Sequence, residues 1–168
     1  MAIADENGLA AVSMRAVAAR VGVTAMALYR HVANKEELLD GVLEQLLAEL
    51  SLPPEDEPWE DRLIALSAEV RELGRRHPTA ISLVFERPGR TPDARVRIDA
   101  IHRALRDGGL TGDDVLRLER MLSTFVVGFA LSEVSGRFAG ATTTDLDREF
   151  ARDLADLIDL VRRQAVGA

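Results

Sequence analysis

The stretch VSMRAVAARVGVTAMALYRHVANKEELL, from Val12 to Leu39, decides how this chain is read. Ser13 is a good N-cap for a short helix over Met14–Val21, and Gly22 supplies the left-handed residue that ends it. Thr24 caps a second short helix, Ala25 to about His31. Asn34 caps a third, from Lys35 to about Leu50, with Glu37 as its capping-box partner. Ala16, Ala18 and Ala19 leave room for the second helix to cross the first closely. Val17, Val21, Val23 and Leu28 are spaced to form a small core between them. Two short helices around a glycine turn read as a helix-turn-helix, whose second helix can enter the major groove of DNA.

Charge bears on the same stretch. Ser13–Lys35 carries Arg15, Arg20, Arg30 and Lys35 and no carboxylate, although the chain as a whole has a net charge of −7. A local basic face lets an acidic protein meet phosphates. A solvated basic helix face gives the same pattern, and charge alone favours that plainer account. Lys35 is the only lysine; every other basic residue counted with it is arginine.

Working outward, Ala2–Asn7 reads as the tail of a helix closed by Gly8. The third helix offers Leu38, Leu39, Val42, Leu46 and Leu50 as its inner face. "SLPPEDEP" (Ser51–Pro58) is a solvated linker. A helix over Trp59–Arg76 ends at His77–Pro78, and Thr79–Glu86 is a short apolar helix. Arg87–Pro92 is a turn, and Pro92 suits the first turn of a helix over Asp93–Asp107. Gly108–Gly109 stops that helix. Thr111 caps a long helix, Gly112 to about Phe138, and Thr144 with Asp147 opens a last one to about Arg163. Period-two alternation is absent, so the fold class is all-α.

Composition excludes several functions. The chain has 168 residues and no cysteine, so disulfides, thiol catalysis and thiolate metal sites are out. No secretory signal begins it, and no run approaches the roughly 20 apolar residues of a membrane helix. A soluble, cytoplasmic protein is expected, without a membrane partner. No GxSxG, GxGxxG or P-loop motif is present, and His31, His77 and His102 are scattered. Neither enzymatic activity, nor a cofactor, nor a metal site is expected.

"GLAAVSMRAVAARVGVTAMALYRHVANKEELLDGV" closely resembles the DNA-binding segment of tetracycline-repressor (TetR) family regulators. "HP…FERPG", "LRDGGL" and "FVVGFAL" give a looser likeness to a tetracycline-repressor-type C-terminal domain. The resemblance implies a three-helix DNA-binding domain at 1–46, its first helix shortened by the start at Met1, and a ligand-binding and dimerisation domain at 47–168. It implies that Thr24, Ala25 and Ala27 approach base edges. Thr24 serves equally as a cap, and the two alanines can offer only apolar contact, such as to thymine methyls. Tyr29 and His31 match phosphate contacts, with a half-buried core ring as the other reading of Tyr29. Lys35 sits where a helix start already favours a phosphate. Arg15 could read a guanine or hold a phosphate, and Arg30 is a backbone contact or a surface ion pair.

From Met121 to Leu131 only Ser123 and Thr124 are polar, so that helix should be buried on nearly all faces. The resemblance implies that Val115–Phe138 and Asp145–Arg163 pair across a two-fold axis in a homodimer. Leu146, Phe150, Leu154, Leu157, Ile158 and Val161 form the apolar stripe of the last helix. It also implies an unidentified small-molecule effector, with Trp59, Leu63, Phe85, His102, Met121, Phe125 and Phe129 as candidates to line its pocket. Leu66, Val70, Ile98, Ile101 and Leu122 are further candidates. For most of them ordinary core is the competing account. His77 reads more simply as a helix-end residue. The expected function is a ligand-released repressor that binds a palindromic operator as a dimer. A dimeric small-molecule-binding protein of this fold that has lost DNA binding is the alternative.

Overall fold

The computed structural model describes residues 1–87 and 91–166, and its described elements are helices. They are α1 (Ala2–Asn7), a 3-10 turn (Leu9–Ala11), α2 (Met14–Val21), α3 (Ala25–Leu28), α4 (Lys35–Ala48) and α5 (Trp59–Arg76). There follow α6 (Ser82–Glu86), α7 (Pro92–Asp107), α8 (Gly112–Val134) and α9 (Thr143–Val166). Half of the turn expected over Arg87–Pro92, at 88–90, lies outside the described residues.

Local chemistry sets the first four helices. Ser13 Oγ accepts the Ala16 N–H at 3.2 Å and Thr24 Oγ1 accepts that of Ala27 at 3.2 Å. Gly22, at φ 75°, ends α2 in the left-handed region. Asn34 Oδ1 accepts the Glu37 N–H at 2.9 Å, but the Glu37 carboxylate reaches back to Ala33 N–H at 2.6 Å, one residue beyond the usual capping box. The second helix is shorter than expected. After Leu28 the chain tightens, with Arg30 N–H donating to Ala27 O and His31 N–H to Leu28 O. The core between the helices also differs. Met14 and Ala18, four apart on one stripe, are buried with Val12, whereas Val21 and Val23 flank the Gly22 turn at the surface and are 61% and 46% exposed.

Two apolar clusters organise the remainder. One joins Val42, Leu43, Leu46, Leu47 and Leu50 of the α4 segment to Leu73, Ile81, Leu83, Ala94 and Ala130. It fastens the N-terminal helices to the larger part of the molecule. Leu43 and Leu47 replace Leu38 and Leu39 on the inner face, because the first turn of α4 lies at the rim, where those two leucines are half-buried. The other cluster joins Leu63, Leu105, Leu118, Leu122 and Phe129 to Leu146, Phe150, Leu154, Ile158 and Val161 of α9. The α9 stripe therefore covers its own chain's core instead of waiting for a second copy.

The ends of the long helices shift from expectation. α8 stops at Val134, and Thr111 makes no side-chain cap bond. α9 starts earlier, where Thr142 Oγ1 accepts the Asp145 N–H at 3.2 Å and Asp145 returns a bond to Thr142 N–H at 3.3 Å. Asp147 is thereby free to pair with Arg75 at 2.6 Å and Arg71 at 3.0 Å. α6 begins only at Ser82; in the turn before it Thr79 donates its hydroxyl to Ala4 O at 2.6 Å. Thr91, unanticipated, caps α7 by accepting the Ala94 N–H.

Candidate nucleic-acid interface and internal cavity

Short helices α2 and α3 are held from behind by Val12, Met14 and Ala18, which leaves their outer faces to solvent. Arg15, Thr24, Tyr29, Arg30, His31 and Lys35 are all exposed on this side of the chain, Tyr29 at 51%. Ala25 and Ala27 are half-buried. Between them Met26 projects with 74% of its surface exposed. Met26 was not anticipated, although its place one residue beyond Ala25 on a capped four-residue helix could have pointed to it.

Carboxylates near this face are occupied. Glu6 grips Arg20 through two bonds of 2.6 and 2.7 Å, and that guanidinium holds the Glu6 carboxyl below its usual range. Arg20 is thus tied to α1. Glu36 pairs with Arg87, and Glu37 is turned onto the Ala33 N–H. Among the described residues, Arg15, Arg30 and Lys35 form no ion pair. This leaves three exposed cations without an ion pair, and an exposed phenol, within the N-terminal helices, the composition that phosphate contacts require.

A cavity of about 500 Å³ lies between α4, α5, α7 and α8. Leu63 and Phe85 line it, as do Leu66, Val70, Ile98, Ile101 and Leu122. Trp59, His102, Met121, Phe125 and Phe129 lie elsewhere. Trp59 lies over Gly108, so close that a Cβ there would sit 2.9 Å from the ring. Phe125 stacks on Phe150 at 5.6 Å between centroids, and Phe129 meets the same ring edge-on at 5.1 Å. The buried Arg71 guanidinium lies over both Phe129 and Phe150, at 5.0 and 4.7 Å, and adds to this joint with α9. His102 Nε2 is buried with no partner among the described residues. Met121 packs against the α9 cluster.

Polar residues enter the cavity wall that the sequence did not single out. Arg87, 7% exposed, lines it while binding Glu36 and Asp40 of α4. Arg97 lines it while donating to Leu50 O at 3.0 Å. Glu69, Glu119, Ser123 and Thr124 come from α5 and α8. Local spacing shows only the Arg97–Asp93 pair, because the hydrogen-bond partners of the two arginines lie 47 to 51 residues away.

A second tie joins the N-terminal helices to the larger part. His77 sets Nδ1 3.0 Å from Asp5 and Nε2 3.1 Å from Glu49. Burial works against its charge, but the two carboxylates outweigh burial and hold the imidazole above its ordinary value. No group of His, Asp and Glu among the described residues could hold a metal ion, and no described helix is long and apolar enough to cross a membrane.

Comparison with known proteins bears on both regions. Residues 1–42 match the family model of bacterial regulatory proteins, tetR family, and residues 52–160 match that of the tetracyclin repressor-like C-terminal domain. The chain is similar to an HTH-type transcriptional regulator of Saccharopolyspora erythraea, 36% identical over 77% of this chain and 55% of that protein. It is 34% identical to the HTH-type transcriptional repressor DrrR1 of Streptomyces coeruleorubidus, over 95% of this chain and 60% of the relative. The chain thus spans little more than half the length of these curated relatives. Among solved structures, apo ActR of Streptomyces coelicolor superposes with a TM-score of 0.87 at 28% identity, covering 99% of this chain and 92% of that one. BioQ, solved with its double-stranded DNA operator, superposes at 0.80 with 28% identity, over 96% and 92% of the two chains.

Proposed function

The chain belongs to the TetR family of bacterial regulatory proteins, and from that premise we propose that it is a cytoplasmic transcriptional regulator that binds operator DNA as a homodimer and is released by a small molecule. The observation that carries this reading is the exposed face with Arg15, Tyr29, Arg30, His31 and Lys35, from which the neighbouring carboxylates are withdrawn. Thr24, Met26 and the half-buried Ala25 and Ala27 approach base edges. The cations and Tyr29 grip the backbone. The BioQ structure with its operator supports this placement by likeness of fold.

The effector enters the cavity between α4, α5, α7 and α8; ActR, similar in fold, has been solved with actinorhodin. Because the cavity wall includes α4 residues Leu43 and Leu47, a ligand there favours one placement of α4, and DNA favours another. Dimerisation uses the outer faces of α8 and α9. Leu116 is 44% exposed there, a Cβ at Gly128 would meet no neighbour within 4 Å, and Ala151 and Ala155 face solvent. Repression is the expected sign.

Fluorescence anisotropy with duplex DNA from upstream of the protein's own gene, at two salt concentrations, tests the reading. Saturable binding that weakens with salt and exceeds that of a scrambled duplex is expected. Equal affinity for both duplexes would overturn operator recognition.

A further inference from the structure

The cavity has one chemically distinct pole. Its walls are mostly aliphatic, from Leu47, Leu66, Ile98 and Val126. Two guanidinium groups interrupt them from the α6–α7 side, Arg87 and Arg97, and a third, Arg120, stands on α8 beside Glu119. Their bonding differs. Arg97 donates one Nη2 to Leu50 O at 3.0 Å and stands 3.7 Å from Asp93, but its Nε is buried with no acceptor among the described residues. A buried donor without an acceptor is costly, so Arg97 is held at the cavity wall with one of its donors unmet. Arg87 is satisfied, but by α4: it binds the carboxylates of Glu36 and Asp40 and the Glu36 carbonyl, the last at 3.3 Å.

Resting on the reading of this cavity as the effector site, we propose that the effector is an apolar molecule carrying an anionic head, a carboxylate or a comparable acid. Its head meets the Arg97 guanidinium and competes with Glu36 and Asp40 for Arg87. A carboxylate suits planar guanidinium donors in a way that a neutral hydroxyl does not, because both partners are charged and the geometry is forked. A cationic head is disfavoured beside two arginines. The carboxylates of the wall, Glu69 and Glu119, stand on α5 and α8, and Glu119 already accepts the Ser123 hydroxyl at 2.8 Å. Arg120 offsets Glu119 on that wall, so the net positive side of the cavity is the one where Arg87 and Arg97 stand together, and the head is drawn there. The volume, about 500 Å³, lies within the usual range for small-molecule sites, about 300–1,000 Å³.

The regulatory consequence follows from where Glu36 and Asp40 sit. Glu36 lies in the first turn of α4, next to Lys35, and Asp40 in the turn that follows. Drawing Arg87 away from them releases that turn from its tether to the chain following α6. The ligand thereby acts on the DNA face without touching it.

Decanoate, decanol and decyltrimethylammonium have similar tails and differ in head charge. Calorimetric titration of the full chain with each probe separates the possibilities. Decanoate should bind at least tenfold more tightly than decanol, and the cation more weakly than either. Arg97→Met should bring the decanoate and decanol affinities together, while Arg97→Lys retains part of the preference. Amide exchange across 35–41 should quicken with decanoate and not with decanol. Decanol binding as tightly as decanoate would overturn the acidic head and leave the cavity reading intact. No binding by any probe would overturn both. A decanoate preference that persists in Arg97→Met, in a variant whose melting curve matches the parent's, would overturn the role given to Arg97. Tight decanoate binding with unchanged exchange at α4 would overturn the competition for Arg87.

Discussion

Tyr29 and Lys35 project from different elements, yet both are exposed and neither supports the core. Truncating either one should weaken operator binding and leave folding and dimerisation as they are. For Lys35→Ala the salt dependence should also flatten, since each cation withdrawn from a phosphate takes about 0.9 from the slope of log K against log salt. Anisotropy titrations of parent and variants over a salt series measure both effects. His77 makes a different prediction. Its pKa is raised above the ordinary 6.5 by Asp5 and Glu49, against the opposing effect of burial. The stabilisation it gives is therefore complete below about pH 6.5 and lost as pH rises through the raised value. His77→Gln should cost about 1 kcal/mol or less in mildly acid solution, and the difference should shrink toward pH 9. Melting curves of the pair that stay equally far apart across that range would sink the charged clasp. At this scale the caps were readable, since Ser13, Thr24 and Asn34 act on residues three positions away. His77 was not, because Asp5 and Glu49 are distant in sequence and meet it only after folding.

Between elements the most extensive joint is α5 on α8. A Cβ added at Gly74 would lie 3.2 Å from Ala130 Cβ and 3.3 Å from Ile81 Cγ1, so both neighbours would have to yield. Gly74→Val should force the helices apart and cost about 1–3 kcal/mol, read from urea unfolding. One turn further along, Arg71 and Arg75 converge on Glu133, 2.8 and 2.7 Å away. Arg71 is buried, so Glu133→Ala leaves it with Asp147 alone. A loss of about 3 kcal/mol is expected in the same assay. Helical periodicity made α5, α7 and α8 legible nearly to their ends. It could not say which face of α9 meets which neighbour. An apolar stripe such as Leu146–Phe150–Leu154 serves an intramolecular core or a second copy equally well. Nor could it separate cavity from core: Leu63 lines the cavity and also belongs to the α9 cluster, while Phe125 serves only the cluster.

Across the whole molecule, the two apolar clusters divide the labour. One joins α4 to α5, α6 and α8, and the other seats α9 on α5, α7 and α8. Phe129 is 5% exposed within the second and touches three other phenylalanine rings. Phe129→Glu should abolish the compact monomer and any assembly built on α8 and α9; a parent-like sedimentation coefficient would contradict that. The chain's solitary lysine has one more consequence. Lys35 is exposed at the start of α4 and is the sole side-chain amine in the sequence. An acylating reagent would therefore modify one side chain, and the modification would erase one positive charge from the surface proposed to meet phosphates. Mass spectrometry of a single tryptic region would then report operator occupancy as protection of that amine, with no competing lysines to subtract. The same chemistry makes this one position the place where enzymatic acylation could tune the protein's grip on DNA.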